Sequence, residues 1–150
     1  MKRLAVLAAV TAIFSAVMAF GAVQDFGKFT ADVPDGWTAK QDVNGVFISK
    51  NGTEGKDLVA VSLNSDSANG HSAKEIADAF VWHWKDTFPL IFTPEADEDG
   101  DYEWHMVNSD GAKIRAVLGV EGGVYVLIMM SGLDTAAEEI DAILGSVKDK

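Results

Sequence analysis

The stretch "FTADVPDGWTAKQDVNGVFISK", Phe29 to Lys50, decides how the chain folds. Phe29, Ala31 and Val33 alternate with Thr30 and Asp32, the period of a strand with one buried face. Pro34-Asp35-Gly36 then turns the chain, proline supplying a fixed φ and glycine a permissive one. Trp37 opens a second strand to about Asp42, Asn44-Gly45 marks a hairpin, and Val46–Lys50 returns. After Asn51-Gly52 and Gly55, the segment from Asp57 to Ser65 reads as a fourth strand, so a four-stranded meander is expected.

Downstream the apolar period changes from two to nearly four. Ser72 and Glu75 are spaced as a capping box, and Ile76, Ala77, Phe80, Trp84 and Phe88 share one helical face before Pro89. Strands resume at Leu90–Thr93 and Tyr102–Val107, then at Ala112–Glu121, with Ile114, Ala116, Leu118 and Val120 on one face. Gly122-Gly123 suits a two-residue hairpin turn, and Val124–Met130 is apolar on both faces, as a strand between two layers must be. Thr135 and Glu138 suggest a second capping box, with Ala136, Ile140, Ile143, Leu144 and Val147 as its stripe. The order predicts an α+β domain: a sheet covered by two main helices, at about 72–88 and 135–147.

The core Phe29-x-x-x-Val33-Pro34-x-Gly36-Trp37, with the hairpin after it, resembles the entry motif of PsbP-like domains. The order of strands, helix, strands and helix is similar across 22–150. The resemblance implies an α/β/α sandwich around a twisted antiparallel sheet. It also implies an accessory protein that binds rather than catalyses, as in bacterial extracytoplasmic members of that superfamily. Phe29, Val33, Pro34, Gly36 and Trp37 then serve as strand, turn and aromatic anchor, not as a site.

The N-terminus supplies an address. Lys2 and Arg3 precede an apolar run from Leu4 to Phe20, and small residues follow, the pattern of a secretory signal peptide over 1–21. Cleavage after Ala19 or after Gly21 fits, and the expected location is periplasmic or secreted. An uncleaved anchor is the alternative; otherwise no membrane contact is expected of the exported form. The chain has no cysteine, which excludes disulfides and a lipid-modified N-terminal thiol. Residues 22–150 form one domain of ordinary size. Losing Lys2 and Arg3 takes the formal charge from −11 to −13, which disfavours nucleic acid and anionic lipid as partners.

Chemistry is sparse. Glu95, Asp97, Asp99 and Asp101, with Gly100 between the last two, approach the opening of a calcium loop. Met106 stands where the closing bidentate carboxylate belongs, and the flanks read as strands, so an EF-hand is excluded. A looser calcium or magnesium site at the loop is left as one alternative function, against a solvated acidic turn. His71, His83 and His105 have no second histidine or cysteine at ligand spacing. An uncharacterised enzyme, the other alternative, would need His83 or His105 beside an acid in a cleft. No nucleophile elbow, phosphate loop or dinucleotide fingerprint is present. Trp82 lies roughly 200° around the helix from Phe80 at about 100° per residue, away from the apolar face. It is the expected partner surface, and an unidentified protein is the expected partner.

Overall fold

The computed structural model of the chain describes residues 21–150. The export signal read in 1–21 lies, but for Gly21, outside the described residues. Within them the elements are β1 (Ala22–Asp25), β2 (Phe29–Val33), β3 (Trp37–Gln41), β4 (Gly45–Lys50), a 3-10 turn (Gly55–Asp57), β5 (Ala60–Ser67), α1 (Ala73–Trp84), β6 (Leu90–Ile91), β7 (Glu95–Ala96), β8 (Tyr102–Val107), β9 (Lys113–Glu121), β10 (Val124–Ser131), α2 (Leu133–Ser146) and β11 (Lys148–Asp149).

An antiparallel main sheet runs β3-β4-β5-β10-β9-β8-β6, with β7 also paired to β8. A second sheet, β1-β2-β11, is separate. The expected meander is therefore corrected: β2, which precedes the Pro34–Gly36 turn, lies outside the main sheet and pairs with both ends of the described chain. Gly36 sits at φ 82°, and the Trp37 N–H donates to the Pro34 carbonyl at 3.1 Å, closing that turn.

The two faces of the main sheet bury separate cores. On one, Val46, Ile48, Val61, Leu63, Ile128 and Met130 pack with Ile140 and Ile143 of α2 and with Phe29, Ala31 and Val33 of β2. On the other, Trp104, Met106, Ala116, Leu118 and Leu127 pack beneath Ala77 of α1. Neighbouring residues of β10, Leu127 and Ile128, belong to different cores, which is why that strand is apolar on both sides. Trp37 is buried, and its indole N–H donates to Glu139 at 2.8 Å, fastening β3 to α2. Lys50 holds the same carboxylate at 2.6 Å. Together they keep the Glu139 carboxyl below its usual range, the Lys50 hydrogen bond being the larger cause.

Helix boundaries follow local chemistry. The Ser72–Glu75 box forms in both directions, as its spacing predicts. α1 ends at Trp84 rather than near Phe88, and the N–H groups of Thr87 and Phe88 close a turn on the Trp84 carbonyl. Proline disfavours helical backbone at the residue before it, which helps set this limit. α2 starts at Leu133 instead of 135, with Gly132 in the left-handed region at φ 79° and a kink at Ala136. The Thr135 hydroxyl donates to the Gly132 carbonyl, so it does not cap the helix as expected.

Candidate functional site

The acidic loop joins β7 to β8 and is closed by its own backbone. The Asp97 N–H donates to the Asp101 carbonyl at 2.8 Å, and Asp97 Oδ1 accepts the N–H groups of Asp99 and Asp101, each at 2.9 Å. One carboxylate of the four is thus turned inward on the loop. Glu95 stands opposite Glu103 in the ladder. The Asp101 carboxylate lies over Gly119 of β9, with Oδ1 2.6 Å from where a Cβ there would stand. Among the described residues, no three His, Cys, Asp or Glu side chains gather so as to hold a metal ion.

The histidines fall in separate places. His71 is 3.8 Å from Glu75 at the start of α1. His83 is exposed on α1, whereas His105 points to the opposite face of the sheet, since Trp104 and Met106 on either side of it pack toward α1. His83 and His105 therefore do not meet. His105 Nε2 is 3.4 Å from Glu103, which Arg115 grips with two 2.8 Å bonds. That grip pulls the Glu103 carboxyl below its usual range. His105 lies in a cleft of about 590 Å³ at the start of α2, also lined by Lys50, Lys56, Lys113 and Arg115. Glu103, the acid beside His105, does not line that cleft and is held by Arg115, and His105 itself stays 61% exposed.

Trp82 is 70% exposed at the end of α1, while Trp84 packs between Phe80 and Phe88. The Lys85 ammonium sits 3.4 Å from the Trp82 ring centroid, a contact that covers little apolar area. Leu90 and Phe92, just beyond the helix, are 46% and 54% exposed, but they alternate with Ile91, which packs toward α1, and so lie on the opposite face of the sheet from Trp82. Three large apolar side chains within eleven residues are thus left in water.

The main sheet also carries a cavity that sequence reasoning missed. The paired residues Gly119, Val126 and Ser65 cross β9, β10 and β5 in one row, and Asp101 ends that row beside Gly119. Over it opens a cavity of about 470 Å³, walled by Phe29, Leu144 and Val147 and bounded by Lys28, Asp149 and Lys150. Gly119, lacking a side chain, is the one local signal: a glycine inside a strand marks a close approach or a gap.

These features define a PsbP-like α+β fold, an antiparallel sheet between a helix on one side and a helix with a small sheet on the other. The solution structure of cyanobacterial PsbP (CyanoP) from Synechocystis sp. PCC 6803 is similar over 93% of this chain and 98% of its own, at TM-score 0.53 and 11% identity. A crystal structure from Bacteroides thetaiotaomicron VPI-5482 is less similar, at TM-score 0.46 and 9% identity, over 89% of this chain and 49% of that one. No family model matches the chain, and no curated protein matches it. At such identities the likeness carries the fold and not the activity. Among the described residues, no helix is long and apolar enough to cross a membrane.

Proposed function

We propose that this protein is an extracytoplasmic accessory protein that works by binding a protein partner and not by catalysis. The observation that carries this reading is the exposure of Trp82 on α1. Covering a side chain of that size stabilises an interface by roughly 3 kcal/mol, and tryptophans dominate the binding energy of many interfaces. The signal-like N-terminus and the PsbP-like fold support the same reading. The partner is a protein with an apolar docking face and a basic rim, because this chain carries a formal charge of −11 and would repel an acidic one.

The test is site-specific photo-crosslinking in intact cells. A photoreactive residue at position 82 should give a discrete adduct, and one at Lys40, on the edge strand β3, should not. Absence of an adduct at 82 would overturn the reading.

A further inference from the structure

The cavity over β9 and β10 is separate from the Trp82 surface and has its own chemistry. Its floor and walls are mostly aliphatic, from Val117, Val126, Ile128, Leu144 and Val147, together with the ring of Phe29. Its volume, about 470 Å³, falls within the roughly 300–1,000 Å³ typical of small-molecule sites. Gly119 adds depth, because strand backbone without a side chain lies beside Val126 there.

Most ionic groups around this space already have partners. Lys28 donates to the Ser65 carbonyl, and Lys150 is paired with Asp25. Asp101 and Glu121 also have interactions of their own. Asp149 belongs to the two-residue strand β11, which is exposed, so its carboxylate keeps its water. A charged guest would therefore give up hydration over an aliphatic floor without gaining a free counter-ion.

One polar group on the floor suits an uncharged guest. Ser65 stands opposite Val126 in the ladder, on the same face, and lines the cavity. Its backbone N–H and carbonyl are taken by Asn44 and Lys28, so its hydroxyl is the part left to a guest. A hydroxyl both donates and accepts, and so can bond an alcohol or a carbonyl.

We infer that this cavity binds an uncharged apolar molecule carrying one hydroxyl or carbonyl group, its hydrocarbon body on Val117, Val126 and Ile128 and its oxygen at Ser65. Burial of the body supplies the affinity, and the bond to Ser65 fixes the orientation.

The test titrates the purified protein with 1-decanol, and with decanoate and decyltrimethylammonium as charged counterparts, below their solubility or micelle limits, followed by amide NMR. 1-Decanol should shift the amide signals of Ser65, Val117, Gly119 and Val126, with saturation. Each charged counterpart should bind at least about tenfold more weakly, a difference of about 1.4 kcal/mol. Val126→Phe puts a ring into the cavity from a half-buried position, and should raise the Kd for 1-decanol by about tenfold with Tm little changed. Ser65→Ala should raise it by about threefold to tenfold through the loss of one hydrogen bond, while Trp82→Ala leaves it unchanged. The inference is overturned if no shifts map to the cavity, if either charged counterpart binds as tightly as 1-decanol, or if neither Val126→Phe nor Ser65→Ala alters the Kd.

Discussion

Residues 82–92 and 95–101 are neighbours in sequence and both face water, but they differ in what that exposure costs. The acidic loop keeps its charges solvated and spends one carboxylate on its own backbone, through the bonds from Asp99 and Asp101 to Asp97. Charged groups in water carry no penalty, so their clustering by itself implies no ligand. Trp82, Leu90 and Phe92 are the reverse case, since every exposed apolar square ångström forgoes about 25 cal/mol. The conspicuous charge is locally explained, and the quieter apolar surface is not.

That contrast can be broken by substitution, and the largest effect should come from Trp84, the half-buried tryptophan of the same helix. Trp84→Ala would remove the ring between Phe80 and Phe88 and should cost about 3 kcal/mol. Thermal unfolding should show this as a Tm lowered by roughly 10 °C. Asp97→Ala comes next, at about 1 kcal/mol in denaturant titration, because two backbone N–H groups lose their acceptor and turn to water.

Glu103→Gln should cost less than about 1 kcal/mol at neutral pH, since the Arg115 pair is partly exposed. The sign with pH follows from the lowered carboxyl pKa. The unfolded chain takes up the proton first, so the pair's contribution is complete above the ordinary value of about 4.5 and is lost as pH falls through the lower folded value. Wild type and variant should therefore converge in acid-unfolding curves.

Trp82→Ala should be the smallest change of all, within about 0.5 kcal/mol in the same titration. A loss as large as that of Trp84→Ala would mean that Trp82 supports the fold, and the contrast between the two regions would fail.

Much of the fold was legible because it is written in local periodicity. The Ser72–Glu75 box, the strand Tyr102–Val107, the Gly122-Gly123 turn and the double-sided Val124–Ser131 strand each depend on residues close in sequence. That Trp82 points away from the apolar face of its helix was legible too, from helical geometry alone. What was missed depends on pairing at a distance. β1 and β11 are four and two residues long, too short to show a period, and only their registry with β2 makes them strands. The early start of α2 rests on Gly132, where an added Cβ would come within 2.6 Å of Val59, more than seventy residues earlier. The cavity had the same origin. Asp101, Gly119, Val126 and Ser65 are brought together by strand register, which no single segment encodes.

The central claim is that the Trp82 surface is covered by a partner where the protein works. Hydroxyl-radical footprinting tests this directly by comparing oxidation rates in freshly prepared cell envelopes with those of the purified protein. Trp82 should be strongly protected in the envelopes, while Phe47, 39% exposed on β4, should oxidise at the same rate in both. Equal oxidation of Trp82 in the two preparations would contradict the account.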